Sequence, residues 1–336
     1  MRLLSAAYAR VAGLRRQAYE RRPERRRRLQ SPVISVGNLA LGGSGKTPVV
    51  EAIARLLADA GERPAIVSRG YGRRPSTDGA LVISDRERLR VGEARRSGDE
   101  PQMLARRLPG VPVVVASDRY LGGRLAETQL GATCILLDDG FQHLQLARDV
   151  DLVIVSPADL DDRVVPGGRL REPITTAACA DAVIVPGDDE AVERVRAATG
   201  APRAFRLRGW LEDLRAVAPY AGAVPASDSR AVVAVAGIAR PGRFVDALTA
   251  AGWDVRRQVT YRDHHWFTAA DVARAEAAAR EAGAARIVTT EKDAVRLEPL
   301  VAGASVPWTY APMRVTVEPD AAFRQWLFER LGRATP

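Results

Sequence analysis

Short apolar segments alternate with helix-length amphipathic segments along most of this chain. The apolar segments predict strands over 32–37, 65–70, 111–116, 133–140, 150–157 and 181–187. An amphipathic helix is predicted from residue 48, and segments 99–108 and 118–130 also have helical length. Continuous apolar strands joined by helices are typical of a parallel sheet covered on both faces. The pattern therefore predicts an α/β fold.

The same alternation resumes after residue 230. Apolar or helix-length segments follow one another over 231–239, 241–252, 253–261, 269–282 and 285–293, and a final strand and helix come after them. Residues 203–219 resemble two short strands around a turn, which suits a ribbon linker. Because 336 residues fit two domains, we predict four segments: an N-terminal helix (1–30), a first domain (31–202), the linker (203–219) and a second, smaller α/β domain (220–336).

Residues 2–19 predict a helix whose apolar side chains share one face. Leu and Ala residues dominate that face, with arginines on its flanks and back: Leu3, Leu4, Ala7, Tyr8, Val11, Leu14 and Ala18. Residues 1–30 carry ten Arg against two Glu, which is +8 of the total charge of +9. Such a helix suits an anionic membrane interface. The alternatives are a helix docked on its own domain with a solvated Arg tail, and an RNA-binding arm.

Composition excludes several classes of protein. The chain is 46% hydrophobic and 27% charged, so it can bury a core and is neither disordered nor fibrous. Two cysteines exclude a disulfide scaffold and a CxxC metal site, and they fit a reducing compartment. No apolar run reaches the ~18 residues of a membrane-spanning helix. Outside residues 1–30 the net charge is only +1, which argues against a nucleic-acid-binding surface.

A glycine-rich segment lies between the first predicted strand and the next helix, where a phosphate-binding loop belongs. Its backbone N–H groups would hold phosphates. Lys46 is one of only two lysines among 50 basic residues, and it would reach the β- and γ-phosphates, while the Thr47 hydroxyl would bind Mg²⁺. Ala40 replaces the first glycine of the usual motif. The predicted nucleotide-binding residues are Ala40, Leu41, Gly42, Gly43, Ser44, Gly45, Lys46 and Thr47.

The predicted strand at 133–140 ends in two carboxylates, Asp138 and Asp139. A paired Asp at a strand end is often only a turn. With a phosphate-binding loop in the same chain, it predicts a Walker B element whose carboxylates hold Mg²⁺ directly or through water.

Seven segments together resemble the tetraacyldisaccharide 4′-kinase family. In chain order they are SVGNLALGGSGKTP, SGDEP, SDR, LLDDGFQH, GRLREP, RDHHWF and TTEKD, and the resemblance covers nearly the whole chain. It implies two α/β/α domains, the first a P-loop NTPase-like parallel sheet, joined by a β-ribbon with ATP–Mg²⁺ in the cleft. It also implies ATP-dependent phosphorylation of the 4′-hydroxyl of tetraacyldisaccharide 1-phosphate, at the cytoplasmic face of the bacterial inner membrane, with no protein partner required.

The resemblance also suggests which group removes the proton of the sugar hydroxyl. The segment SGDEP offers two carboxylates before a helix, and the family pattern implies Asp99 as the base, paired with His264, and Glu100 beside the metal. A histidine partner would orient the carboxylate and tune its proton affinity. Asp99 as a helix N-cap and His264 as an ordinary core or surface histidine are the alternatives. His265 is equally available as the partner.

Phosphoryl transfer also needs cations around the spreading charge of the phosphoryl group. Arg119 and Arg171 are candidates, although the chain holds 48 Arg. Further anion or substrate candidates are Gln142, His143 and Asp263. Lys292 in TTEKD could serve the nucleotide or domain closure, and its motif does not match the order that reads guanine.

A different class of protein remains as the competing hypothesis: a membrane-recruited P-loop targeting ATPase with a protein partner. The discriminating feature is Asp99 together with the DHH segment, because a targeting ATPase needs no base for a sugar hydroxyl. An RNA-binding arm is less favoured, since the basic run 21–28 lacks the aromatic residues that stack bases. We therefore expect ATP, Mg²⁺, a lipid substrate and an anionic membrane surface as partners, and no nucleic acid.

Overall fold

A long N-terminal helix, α1 (Arg2–Glu20), precedes two sheets. The structure is a computed structural model that describes residues 1–43, 45–71, 79–217 and 229–334. Ser44, residues 72–78, residues 218–228 of the predicted linker and second domain, and residues 335–336 lie outside the described residues. The other helices are α2 (Lys46–Asp59), α3 (Ala94–Ser97), α4 (Asp99–Arg107), α5 (Arg119–Leu130), α6 (Asp189–Thr199), α7 (Pro241–Ala250), α8 (Ala269–Glu281), α9 (Glu291–Leu297) and α10 (Asp320–Arg330).

The first eight strands belong to one large sheet. They are β1 (Val33–Asn38), β2 (Pro64–Ser68), β3 (Ala80–Ser84), β4 (Val113–Ala116), β5 (Cys134–Asp138), β6 (Val150–Ile154), β7 (Ala182–Pro186) and β8 (Ala204–Leu211). Their order is β8-β7-β6-β1-β5-β2-β4-β3, and every neighbouring pair is parallel except β3 with β4. The predicted α/β class with a largely parallel sheet is confirmed.

Helices cover both faces of the central part of this sheet, which is why strands such as β5 and β7 are buried and largely apolar. Successive residues of β1 point to opposite faces. Ile34 packs in a core with α2, α4 and α10, whereas Val33 packs in a second core with α5. On β5, Leu136 packs in the core with α2, and Ile135 packs in the core with α5. The large sheet is thus the middle layer between two layers of helices. The loops at the carboxyl ends of its strands lie outside these layers, where they can contribute to a functional site.

A second, smaller sheet follows. Its strands are β9 (Arg215–Ala216), β10 (Ala231–Ala236), β11 (Asp254–Thr260), β12 (Arg286–Thr290) and β13 (Trp308–Ala311). Their order is β11-β10-β12-β13-β9, with only β9 antiparallel to its neighbour. Helix α8 covers one face, where Ala275 and Ile287 share a core, and α7 covers the other, where Leu248 packs with Val288.

The last strand and helix return to the large sheet. Strand β14 (Met313–Glu318) pairs antiparallel with β8 and completes a sheet of nine strands, so β8 and β14 form a two-stranded ribbon. Helix α10 buries Phe323 and Leu327 in the core with α2. The chain after β13 therefore returns to the first sheet, because these apolar side chains find their partners there. The domain boundaries themselves stay a prediction.

The two sheets approach each other at the glycine-rich loop. Gly42 has φ +93°, and a Cβ on it would lie 3.1 Å from Ala239 Cβ, in the loop after β10. Glycine at this position permits both the left-handed backbone and the close approach. Loops at the carboxyl ends of β1, β5 and β10 consequently surround one cleft.

Candidate active site

The glycine-rich loop joins β1 to α2 as the sequence predicts. Gly45 is the N-cap of α2 with φ +82°, and Lys46 is the first residue of the helix. Lys46 Nζ donates to Asn38 Oδ1 at 2.8 Å, so the side chain lies back over the end of β1. Thr47 is buried in the first turn of α2. Helix N-termini with this geometry bind phosphate groups.

Two predicted nucleotide-binding residues have partners within the chain. Ala40 is buried and forms a β-bridge with Leu170, which explains how alanine is accommodated at the first position of the motif. The Leu41 N–H donates to Arg169 O at 2.7 Å, so this amide is not free for a phosphate. Within the described loop, the backbone N–H groups available for phosphate are therefore those of Gly42, Gly43 and Gly45 and of the start of α2.

Asp138 and Asp139 are neighbours with different surroundings. Asp138 ends β5, is 2% exposed, and its Oδ1 has no hydrogen-bond partner among the described residues. Burial, followed by the charge of Glu100, raises the pKa of Asp138 to about 7. Asp139 has φ +59° and pairs with Arg171 at 2.9 Å and Lys46 at 3.4 Å. Burial opposes ionisation of Asp139, but Lys46 and Arg171 together lower its pKa.

The residues predicted for Mg²⁺ can be tested against this geometry. The buried, unpartnered oxygen of Asp138 and the Thr47 hydroxyl are the kinds of ligand that Mg²⁺ prefers. Glu100 Oε1 pairs with Lys292 Nζ at 3.1 Å, and Asp139 is held by two cations. No cluster of three or more His, Cys, Asp or Glu side chains within the described ranges is arranged as a metal site. Mg²⁺ in phosphoryl-transfer enzymes is commonly bound by one or two carboxylates and the substrate phosphates, so Thr47 and Asp138 fit it.

Across the cleft, Asp99 and His264 contact each other. Asp99 begins α4, is 4% exposed, and its Oδ2 lies 2.9 Å from His264 Nδ1 and 3.1 Å from Arg296 Nη1. Its Oδ1 accepts the N–H of Glu100 at 2.9 Å. Burial opposes ionisation, but the hydrogen bond with His264 and the charges of Lys292 and Arg296 lower the pKa of Asp99 below its ordinary value. Asp99 is therefore a carboxylate at neutral pH.

The choice between the two neighbouring histidines, open in the sequence, is decided by backbone geometry. His264 has φ +57°, and this left-handed turn directs its side chain to Asp99. His265 Nε2 instead lies 3.1 Å from Asp271 Oδ2, and its ring stacks on Tyr261 at 4.6 Å. His265 thus belongs to the packing of the second sheet.

Lys292 joins the same cluster from α9. Its Nζ lies 3.1 Å from His264 Nε2 and 3.3 Å from Asp263 Oδ1, in addition to the contact with Glu100. Burial opposes protonation, but Glu100, Asp99 and Asp263 raise the pKa of Lys292 above its ordinary value. Asp263 is thereby placed beside the Asp99–His264 pair. Arg296, which contacts Asp99, was not predicted from the sequence. It lies four residues after Lys292 on α9, and only that spacing could have indicated it.

The remaining candidates divide between the cleft and the interior. Arg171 Nη1 donates to Asp139 and, at 3.2 Å, to Gln142 Oε1, and both side chains line the cleft. Arg119 is buried, does not line the cleft, and donates from Nη1 to Ser117 O at 3.0 Å. His143 also lies outside the cleft, where burial and then Arg119 lower its pKa to about 4.

The cleft is large enough for two ligands. Its volume is about 1630 Å³, compared with roughly 300–1,000 Å³ for a site that holds one small molecule. Lys46, Asp138 and Arg171 line one wall, and His264 and Lys292 line the other. The third boundary is formed by α1, through Tyr8, Val11, Ala12 and Arg15.

Helix α1 contacts the protein body through Arg16, its buried residue, and through Arg15 and Ser5, and it leaves its apolar face exposed. Arg16 pairs with Glu172 and stacks over the Phe141 ring at 4.2 Å. The exposed side chains include Leu3 at 88%, Leu4 at 61%, Val11 at 65% and Leu14 at 56%. Arg27 and Arg28 pair with Asp118 and Asp149, so part of the basic run contacts the protein body. No helix in the described part of the chain is long and apolar enough to cross a membrane.

Comparison with known proteins places these observations in one family. The family model for tetraacyldisaccharide-1-P 4′-kinase (LpxK) matches residues 1–332. The tetraacyldisaccharide 4′-kinase of Anaeromyxobacter dehalogenans is 40% identical over 318 residues, covering 90% of this chain and 82% of that protein. The enzyme of the same name from Geobacter metallireducens is 40% identical over 312 residues, covering 89% and 88%.

A solved structure extends the similarity to the fold. The crystal structure of LpxK from Aquifex aeolicus in complex with ATP superposes with a TM-score of 0.77 at 32% identity, covering 98% of this chain and 97% of that one. The match spans both sheets and α1. From its sequence, its fold and the geometry of its cleft, the chain belongs to the tetraacyldisaccharide-1-P 4′-kinase family.

Proposed function

We propose that the two walls of the cleft bring ATP and a lipid hydroxyl together, with Lys46 and Thr47 on the nucleotide and Asp99 as the base for the acceptor. The chain is a kinase that uses ATP with Mg²⁺ to phosphorylate the 4′-hydroxyl of tetraacyldisaccharide 1-phosphate, a step of lipid A biosynthesis. The observation that carries the assignment of roles is the buried Asp99 carboxylate, which lies 2.9 Å from His264, a residue that lines the same cleft as Lys46.

On the nucleotide side, the start of α2 and the glycines before it receive the phosphates. Lys46 and Arg171 both contact Asp139 in this structure. Phosphate oxygens carry more charge than one carboxylate, so we expect both cations to turn toward the γ-phosphate. They would then stabilise the charge that spreads over the transferred phosphoryl group.

Thr47 and Asp138 would hold the Mg²⁺, with Glu100 nearby. When bound, Mg²⁺ neutralises phosphate charge and polarises the phosphoryl group. The chain's own contribution is to keep Asp138 free of competing hydrogen bonds and buried beside the loop.

On the acceptor side, Asp99 removes the proton of the 4′-hydroxyl. The oxygen forms a bond to the γ-phosphorus, the bond between that phosphorus and the bridging oxygen breaks, and ADP leaves while the proton stays on Asp99. A base must be ionised before the reaction, and the lowered pKa of Asp99 ensures that. His264 and Arg296 hold the carboxylate in place by occupying Oδ2.

Helix α1 suits a role in meeting a substrate that stays in a bilayer. Its exposed leucines would insert into the interface of the membrane, and its arginines would contact anionic head groups. Tyr8 and Val11 belong both to the exposed surface of α1 and to the cleft, so a lipid could pass from one to the other. We therefore propose peripheral binding at the cytoplasmic face of the bacterial inner membrane. The alternative of a targeting ATPase is not favoured, because such an enzyme has no acceptor hydroxyl and Asp99 and His264 would have no role in its reaction.

A transfer assay tests this function. Enzyme, Mg²⁺, ATP labelled at the γ-phosphate and the tetraacyl disaccharide are incubated in vesicles, and the lipid product is separated by thin-layer chromatography. The proposal predicts a labelled lipid with wild-type enzyme and a large loss with Asp99→Asn. ATP hydrolysis without any labelled lipid would instead support the targeting ATPase.

A further inference from the structure

The Asp99–His264 pair has a third member whose chemistry restricts what the histidine can do. Lys292 Nζ lies 3.1 Å from His264 Nε2, on the side of the ring away from Asp99. An ammonium group has three donors and no acceptor. The nitrogen that faces it must therefore present a lone pair, because an N–H at Nε2 would point a second donor at the cation.

The opposite side of the ring requires the complementary arrangement. Asp99 Oδ2 is a carboxylate oxygen that only accepts, so Nδ1 must carry the hydrogen. The two contacts thus demand one tautomer, with hydrogen on Nδ1 and a lone pair on Nε2. A neutral imidazole has one of each, and its two nitrogens are distinguished by the hydrogen bonds they make.

The other neighbours of the ring leave this arrangement undisturbed. Asp263 Oδ2 lies 3.8 Å from Nε2, but Asp263 Oδ1 contacts Lys292 Nζ at 3.3 Å. The Tyr71 ring lies against the imidazole with centroids 5.0 Å apart. The lysine is itself anchored by Glu100 and Asp263, so its position does not depend on the histidine.

We propose that Lys292 is a positioning residue that fixes His264 in the Nδ1–H tautomer and so holds the Asp99 carboxylate in place to receive the acceptor proton. This inference rests on the proposed roles of Asp99 and His264. It also gives a reason for lysine in a chain that otherwise uses arginine: a compact ammonium fits among Glu100, Asp263 and the imidazole, where a planar guanidinium would not.

Nitrogen NMR tests the tautomer directly. The chain has three histidines, so ¹⁵N-histidine labelling of the full chain gives few signals, and a His264→Gln sample assigns them. We expect a pyrrole-type Nδ1 and a pyridine-type Nε2 for His264 at neutral pH. An Nε2–H tautomer, or hydrogens on both nitrogens, in the wild-type protein would overturn the proposal even if Lys292 variants fail to fold.

The isosteric variant Lys292→Met should allow Nε2 to acquire a hydrogen, seen as a shift of its signal toward the pyrrole type. Its kcat should fall on the order of 10- to 100-fold, the size of loss seen when the outer partner of a metal-bound histidine is removed, with little change in the KM for ATP. Glu298→Gln is the matched control, since it removes another ion pair with α4, that of Arg106, at the end of α9. The control should leave the signals of His264 unchanged.

A double-mutant cycle separates this role from an effect through Glu100. In a His264→Ala background, Lys292→Met should cause a much smaller further loss of kcat than it does alone. Losses that multiply fully would show that Lys292 acts elsewhere, and the proposal would fail. Failure of the proposed base is a separate result: Asp99→Asn would then retain transfer, while the tautomer of His264 in the wild type would be unaffected.

Discussion

Arg16 of α1 and Glu172 form a bidentate ion pair that is buried between the N-terminal helix and the cleft. Arg16 Nε and Nη2 lie 2.9 and 3.0 Å from the two carboxylate oxygens. Glu172 directly follows Arg171, which pairs with Asp139. The helix that exposes an apolar face is therefore attached next to the residues that surround the nucleotide site.

Breaking this ion pair should release α1. Removing one partner of a buried pair leaves an uncompensated charge and typically costs roughly 3–5 kcal/mol. We expect Arg16→Ala to raise amide hydrogen exchange throughout α1, with little change in the central strands of the large sheet. Arg10→Ala, an exposed position on the same helix, is the control. Unchanged exchange in α1 would mean that other contacts hold the helix.

The apolar face of α1 should determine how the enzyme finds substrate in a membrane. Leu3, Leu4 and Leu14 are exposed and do not line the cleft. Full burial of one leucine is worth about 1.5–3 kcal/mol, and a tenfold change in binding corresponds to about 1.4 kcal/mol. Even partial insertion of three leucines exceeds this, so the triple change to Gln should weaken vesicle binding ~10-fold or more and raise the KM for substrate in anionic vesicles.

Micelles and salt provide the controls for the leucine variant. In detergent micelles its KM should be close to wild type, and its thermal stability should be unchanged because the side chains are exposed. In 1 M salt, where the Debye length is ~3 Å, wild-type binding to vesicles should weaken but remain above that of the variant. Equal pelleting of both proteins with vesicles would place membrane binding elsewhere.

Lys46 should be irreplaceable at the start of α2. Phosphoryl transfer depends mainly on positioning and charge stabilisation, so Lys46→Ala should reduce turnover by orders of magnitude. Lys46→Arg should also fail, because a guanidinium does not fit where Nζ lies 2.8 Å from Asn38. Measured kcat for the two variants checks this, and near-normal activity of Lys46→Arg would remove Lys46 from the mechanism.

Asp138 should make the nucleotide-free protein less stable as the pH rises. Its pKa is about 7 in the folded chain against the ordinary 3.8, so between these values the folded state binds more protons than the unfolded state. Stability from this group is full below about pH 4 and is lost as the pH rises through about 7. We compare the free energy of unfolding of Asp138→Asn with that of wild type at each pH. The difference should favour the variant more near pH 8 than near pH 4.

The comparison must be made between variants, because His143 acts in the opposite direction. Its pKa of about 4 in the folded chain lies below the ordinary 6.5, so its contribution rises as the pH increases through that window. Chemical unfolding of wild type and Asp138→Asn with chelator present, from pH 4 to 8, isolates Asp138. Curves that stay parallel across this range would contradict the assignment.

The parts of the fold that follow from local pattern were predictable from sequence. Fully buried strands such as β4 and β5 are short, largely apolar runs, and α1 and α2 have clear amphipathic periods. Strand β3 was missed because an edge strand that is half exposed carries a weaker pattern. The segment 285–293 reads as one strand, but the chain turns into α9 after Thr290, whose hydroxyl caps the helix. The return of α10 to the first sheet depends on long-range packing.

The residues of the site also fall into two groups: those that local sequence predicts and those that depend on long-range packing. Lys46, Thr47 and Asp138 lie within contiguous motifs whose spacing fixes their geometry. The pairing of Asp99 with His264 spans 165 positions, and the left-handed backbone of His264, which selects it over His265, has no signature in the residue types. Arg296 was hidden among 48 arginines. Contacts of this kind appear only when the two sheets are placed against each other.

Asp99 and His264 should act as a unit. His264→Ala should lower kcat less than Asp99→Asn, because the histidine orients the carboxylate and does not take the acceptor proton. The double variant should lose less than the product of the two single losses. Steady-state kcat for the four proteins checks this, and independent losses that multiply fully would contradict a coupled pair.

The most direct test is the rate of the chemical step in Asp99→Asn. This change keeps the size of the side chain and removes its ability to accept a proton. In a rapid-quench single turnover with saturating ATP, Mg²⁺ and lipid, phosphate transfer should be ~10²–10⁴-fold slower than in wild type, while the Kd for ATP stays nearly the same. Transfer at close to the wild-type rate would show that another group takes the proton of the 4′-hydroxyl.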